Sequence, residues 1–251
     1  MGALHAGHAS LIRAARSACR HVAVTLFVNP TQFGPNEDFT RYPRSFEADC
    51  VVAEREGADV LFAPRVEELY PAGAATFVEV EGLSERLDGK SRPGHFRGVA
   101  TVVTKLFVAA EADLAFFGQK DAVQVSVLRR MTADLRLGTE IVVCPIVRDA
   151  DGLALSSRNA YLSPAERAQA LTLSRAVRKV EELFVQGEHC ANALTAAARA
   201  LFAAEAAVRA DYIALVDWAT LEPVQTAAPG TLFAVAAYVG STRLIDNAVL
   251  G

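Results

Sequence analysis

The stretch His21–Val28, HVAVTLFV, decides how this chain is read. It is an unbroken β-branched and apolar run, the mark of a strand buried on both faces in a parallel sheet covered by helices. The neighbouring segments agree. Phe46–Gly57 has helical periodicity and stops at a glycine, and Asp59–Ala63 reads as a second short strand. Further on, Val99–Ala110 predicts a helix, Leu114–Gly118 a strand, Ala122–Leu137 a helix and Glu140–Val147 another strand. Strands separated by helical segments build βαβ units, so the expected fold class is α/β with a doubly wound parallel sheet.

After about Val147 the texture changes. Two Ala-rich helices, near Pro164–Gln186 and Ala191–Ala207, precede strands near Tyr212–Val216 and Leu232–Val239. We therefore expect a first domain over 1–147 and a smaller α+β domain over 148–251. Asp149–Asn159 would be a mobile polar linker between them, with a helix cap at Ser163-Pro164.

Composition sets bounds on function. The 251 residues are 52% hydrophobic and 22% charged, a balance suited to a packed globular protein. A formal net charge of -4 argues against nucleic acid as the partner and for small-molecule substrates held by local cations. Cys19, Cys50, Cys144 and Cys190 form no C-x-x-C pair, so they read as reduced residues of a cytoplasmic protein. Neither a leader nor a membrane-spanning run is expected.

In open parallel sheets, ligands bind in the loops beyond the carboxyl ends of strands, and the polar segments of this chain fall there. His5-Ala6-Gly7-His8 lies just ahead of a helix predicted to begin near Ala9. A helix N-terminus favours anions, Gly7 permits close approach of a base or ribose, and two imidazoles can donate to phosphates as charge builds on a departing pyrophosphate. Such a loop should follow a central strand, yet only Met1–Leu4 precede it, so the first strand is expected to be missing from the chain.

Lys120-Asp121 follows one strand, placing a cation for phosphate oxygens and a carboxylate for ribose hydroxyls; a simple helix-capping pair is the competing reading. Leu155-Ser156-Ser157-Arg158 joins two hydroxyls to a guanidinium, a set suited to closing over a polyphosphate. Arg92–Gly98 is a basic loop. Gln32 and Gln124 are neutral hydrogen-bonding groups on the pocket side, suited to a hydroxylated carboxylate substrate.

Taken in order, MGALHAGH, FVNPTQFGPNED, RYPR, RPGHFRGVATVVTKLF, FFGQKDAVQ, DGLALSSRNAYLSPAER and TRLIDN resemble the pantoate–β-alanine ligase family over Met1 to Asn247. The resemblance implies a Rossmann-like nucleotidyltransferase fold whose smaller domain closes over the active site, usually with a homodimer. It implies ATP as substrate with Mg²⁺, and a two-step reaction. Pantoate is first converted to a pantoyl adenylate with release of pyrophosphate. The amine of β-alanine then displaces AMP, giving pantothenate for coenzyme A synthesis.

By position, Met1, Gly2, Ala3, Leu4, His5, Ala6, Gly7 and His8 would line the ATP site, with His8 the acid toward the leaving phosphate. Gly118 and Asp121 would meet the ribose, with Gln119 beside them. Lys120 would contact the phosphates and Val147 the adenine. Leu155, Ser156, Ser157 and Arg158 would cover the phosphates, making His5, His8, Lys120 and Arg158 the catalytic set. Gln32 and Gln124 would hold pantoate, Gln32 also near β-alanine, with Asn29 and Tyr42 as further contacts. Gln119 stands where the family commonly has glutamate, and Leu155 where it has methionine. The family also begins with a further helix and strand, so the expected full protein is longer at its start.

Two other readings compete with this one. An adenylyltransferase of the same superfold would keep the nucleotide on its product, and AMP release that strictly requires an amine separates it from a ligase. A non-catalytic truncated paralogue would answer ATP with a thermal shift but no turnover.

Overall fold

The computed structural model describes residues 2–35 and 37–251. Two compact units emerge. One runs through Gly118 and resumes over Gln124–Pro145; the other comprises Gln119–Val123 and Ile146–Gly251. The second unit thus begins two residues before the Arg148 boundary expected from the pattern. It also takes in residues 119–123, which the pattern assigns to the first domain.

In the first unit, α1 (Ala6–Ala18) leads to β1 (Ala23–Thr25), α2 (Phe46–Arg55) and β2 (Val60–Phe62). Two single-turn helices, α3 (Val66–Leu69) and α4 (Asp88–Ser91), precede α5 (His95–Ala110), β3 (Leu114–Gly118), α6 (Ala122–Asp134) and β4 (Glu140–Cys144). The expected parallel pairing is present: β1 runs beside β2, with Val24 opposite Leu61, and β3 beside β4, with Phe116 opposite Val142. Among the described residues no ladder joins β1 to β3, so the strands stand as two pairs. The long apolar run of His21–Val28 correspondingly has only three residues in strand, and every residue of β3 stays part-exposed. Ile12 and Ala15 of α1 pack with Val22, Val24, Leu26 and Ala53, and Leu4 and Phe116 lie against that cluster.

Several boundaries moved for identifiable reasons. Strand β4 ends at Cys144 because Pro145 has no N–H for the ladder. Helix α5 starts at His95, not Val99, because Gly94 takes a left-handed conformation (φ 79°) and turns the chain into the helix. The basic stretch expected to be a loop is therefore partly its first turn.

In the second unit, α7 (Pro164–Val185) and α8 (Ala191–Ala203) precede an antiparallel sheet of β5 (Val208–Asp217), β6 (Thr231–Val239) and β7 (Thr242–Val249), with β6 in the middle. The Ser163–Glu166 capping box and Pro164 start α7 as the sequence implies. Leu173, Val177 and Val180 of α7 and Leu194 and Ala198 of α8 share a core with Phe233, Val235 and Leu244 of the sheet. Strand β7 has no counterpart among the expected elements.

Candidate active site

The histidine turn of the first unit is built by the residues that compose its motif. Helix α1 begins at Ala6, earlier than Ala9, so Gly7 and His8 sit in the first helical turn. His5 is the N-cap: its Nδ1 accepts from the Gly7 N–H at 3.1 Å, and the His8 Nδ1 accepts from the His5 N–H at 3.3 Å. Two of the helix's orphan amides are satisfied in this way. Because both Nδ1 atoms accept, a neutral ring at either position carries its proton on Nε2. The ring centroids lie 4.0 Å apart. The arrangement presents two imidazole donors at the positive end of a helix.

Ahead of the cap, buried Asp49 on α2 receives the Ala3 N–H at 2.9 Å and the Leu4 N–H at 2.7 Å. Ala3 is held in the left-handed region (φ 52°), a conformation disfavoured for a non-glycine residue. Two charge-assisted hydrogen bonds from its own and the next amide offset that cost. Met1 lies outside the described residues.

The Asn29–Gln32 turn rests on the start of α5. A Cβ on Gly98 would come within 2.4 Å of the Thr31 carbonyl oxygen, so this close approach needs glycine. Asn29 is buried and fully engaged inside the turn. Its Nδ2 donates to the Gly98 carbonyl and the Gln32 Oε1, and its Oδ1 accepts from Thr31 and the Tyr70 hydroxyl. Burial raises the Tyr70 pKa, which keeps that hydroxyl a neutral donor. Asn29 thus shapes the turn through both polar atoms of its side chain.

His95 Nδ1 lies 2.8 Å from the Gln32 carbonyl, an acceptor, so Nδ1 carries the proton and Nε2 accepts from Arg92. Arg92 in turn chelates Glu37 at 2.6 and 2.7 Å. These contacts fix the Gln32 backbone and leave its amide Nε2 without an acceptor among the described residues. Gln124 lies half-buried in the first turn of α6, and Tyr42 packs edge-on against Phe33, centroids 5.7 Å apart.

The second unit holds the other expected residues on two turns. Gln119–Asp121 forms a single 3-10 turn, with Lys120 Nζ 3.6 Å from the Asp121 carboxylate. Residues 147–155, which overlap the expected Asp149–Asn159 linker, form a tight hairpin. Leu155 N–H donates to the Val147 carbonyl, Asp149 N–H donates to that of Leu153, and Gly152 turns the chain at φ 96°. Arg167 of α7 clamps Asp149 and Asp151. Ser156 caps the next turn, its Oγ accepting from the Arg158 N–H at 3.3 Å.

Beneath the hairpin, Arg148 chelates Asp246 of β7 at 2.7 and 2.9 Å. Burial disfavours the Arg148 charge, but the Asp246 hydrogen bonds and carboxylate outweigh it, so its pKa is raised. Nearby Glu181 of α7 has a raised pKa, chiefly from burial. Asp49 and Arg148 carry no signal in the sequence that singles them out, and Asp246 and Asn247 enter there only as the end of the TRLIDN segment, with no role attached. Among the described residues, no three His, Cys, Asp or Glu side chains gather to hold a metal, and no helix is long and apolar enough to cross a membrane.

A family model of pantoate-beta-alanine ligase matches residues 1–249. The chain belongs to the pantoate–β-alanine ligase family. A pantothenate synthetase of Acidobacterium capsulatum is 61% identical over 251 residues, all of this chain and 84% of that protein. One from Koribacter versatilis is 57% identical over 250 residues, all of this chain and 86% of its own. The crystal structure of pantothenate synthetase from Thermus thermophilus superimposes with a TM-score of 0.96 at 46% identity, covering 99% of this chain and 90% of that one. The pantoate-beta-alanine ligase of Francisella tularensis, solved with beta-gamma ATP and beta-alanine, gives a TM-score of 0.80 at 34% identity, over 99% of this chain and 87% of that one.

Proposed function

We propose that this ligase joins pantoate to β-alanine through the residues above, in two displacements. In the first, a pantoate carboxylate oxygen attacks the α-phosphorus of ATP. The bond to the bridging oxygen breaks, pyrophosphate leaves with that oxygen, and a mixed acyl–phosphate anhydride remains. In the second, the neutral amine of β-alanine attacks the acyl carbon. The carbon–oxygen bond to phosphate breaks, AMP leaves, and the nitrogen loses a proton to complete the amide.

The observation that carries this reading is the reciprocal cap of His5 and His8. It assigns both Nε2 atoms as donors at a helix N-terminus, suited to oxygens on which negative charge grows. Lys120 and Arg158 add cationic charge to the phosphates, and Ser156 and Ser157 add hydroxyls. Gly118 and Asp121 take the ribose, and the Val147 backbone the adenine. Gln32 offers its uncommitted Nε2 to pantoate, and Gln124 a second amide. Asn29 holds Gln32 in place.

Mg²⁺ enters as part of the nucleotide substrate, held mainly by phosphate oxygens and water, as suits a cation that keeps its hydration. Four free cysteines fit a reducing cytoplasm. Exposed Val51, Val60 and Phe62 on α2 and β2 fit a homodimer formed through the first unit, which light scattering on the purified chain tests.

The deciding assay is AMP release with ATP, Mg²⁺ and pantoate, with and without β-alanine. Release should require both acid and amine, and His8→Ala should slow it about a hundredfold to a thousandfold. Release without the amine, or an undiminished His8→Ala rate, would overturn the assignment.

A further inference from the structure

Strand β7 carries two adjacent buried polar residues, Asp246 and Asn247, whose side chains leave opposite faces of the sheet. Asp246 aligns with core residues Leu244 and Ala248, yet its carboxylate is taken up by Arg148, the second residue of the 147–155 hairpin. Arg148 also donates to the Gly152 carbonyl at the hairpin's tip. The Asp246 Oδ1 further accepts the Asn247 N–H at 2.8 Å.

Asn247 reaches the other turn. Its Nδ2 donates to the carbonyls of Gln119 at 3.0 Å and Lys120 at 2.9 Å. Carbonyl oxygens only accept, so the nitrogen of the Asn247 amide must face them. Its oxygen then accepts from Gln119 Nε2 at 3.2 Å, which fixes the Gln119 amide as well. All donor and acceptor atoms of the Asn247 side chain are thereby spent on one three-residue turn. Just beyond the same turn, the Trp218 indole N–H donates to the Ala122 carbonyl at 3.1 Å.

We infer that Asn247 is a positioning residue for ATP binding, acting through Lys120, and that Asp246 beside it ties the same strand to the 147–155 hairpin that leads into Ser156–Arg158. A lysine side chain is long and rotamer-rich, so its charge is useful only if its backbone is fixed. The two Nδ2 bonds fix the carbonyls on both sides of the Lys120 N–Cα bond. The inference rests on the reading that Lys120 contacts phosphate.

A double-mutant cycle on kcat/KM for ATP tests it, using Asn247→Ala, Lys120→Ala and the pair. Asn247→Ala should lower kcat/KM for ATP about tenfold with KM for β-alanine unchanged, and add little once Lys120 is already alanine. A loss that is fully additive with Lys120→Ala, or equal for ATP and β-alanine, marks Asn247 as merely structural and overturns the inference. A normal Lys120→Ala enzyme overturns the phosphate reading, and this inference with it. A crippled Lys120→Ala beside a normal Asn247→Ala overturns this inference alone. Asn247→Asp fills the same space if truncation unfolds the chain. It keeps the acceptor for Gln119 but loses both donors, so it should show the same ATP-specific loss.

Discussion

The histidine turn and the lysine turn both stand at the start of helices, and they are held in opposite ways. His5 and His8 satisfy amides of their own turn, so most of that geometry is written within a few consecutive residues. The Gln119–Asp121 turn is secured chiefly by Asn247, 128 residues away along the chain from Gln119. A self-capped turn forms as its helix forms. A turn held from a distant strand forms only after the antiparallel sheet has closed, and its precision depends on packing elsewhere in its unit.

The most damaging way to break this contrast is to remove the distant support. Asp246→Ala leaves Arg148 without its carboxylate, and we expect a loss of about 3 kcal/mol in unfolding free energy. That is the low end for a buried pair, because 30% of the Arg148 side chain still reaches water. Denaturant titration measures it, and a change below about 1 kcal/mol would mean the pair behaves as an ordinary surface ion pair.

His5→Ala should cost less in stability, about 1 kcal/mol, the usual worth of an N-cap. Its larger effect should fall on adenylate formation, since it removes one donor and the ring that packs against His8, whose Nδ1 keeps its bond from the residue-5 N–H. Thermal unfolding and AMP release on the same preparation separate the two effects. A stability loss matching that of Asp246→Ala would erase the distinction between self-capped and distantly held turns.

The same contrast explains what can be read in advance. The parallel strands, the Ser163 cap and the polar loops rest on local patterns, and they are legible in the sequence. The helix start at Ala6 is not, because histidine is outside the usual N-cap set of Ser, Thr, Asp and Asn. Strand β7 escapes a pattern reading because Asp246 and Asn247 are residue types depleted in strands, and only the fold shows what they bind. Asp49 reads as an ordinary first-turn acid of α2, which favours that helix end, and nothing nearby signals that Ala3 and Leu4 need it.

The finest test concerns Gln119, whose side-chain amide pairs with that of Asn247. Gln119→Glu removes the donor to the Asn247 Oδ1 and would set two acceptor oxygens about 3.2 Å apart, so the new side chain should turn away. The two Nδ2 bonds to the main-chain carbonyls need no side chain at 119 and should persist. We expect a stability loss of about 1 kcal/mol and less than about threefold change in kcat/KM for ATP. If Gln119→Glu instead matches the Asn247→Ala loss, the Gln119–Asn247 amide pair carries the positioning. If it leaves activity intact while Asn247→Ala does not, the clamp runs through the backbone of the lysine turn, and the side chain at 119 is dispensable to it.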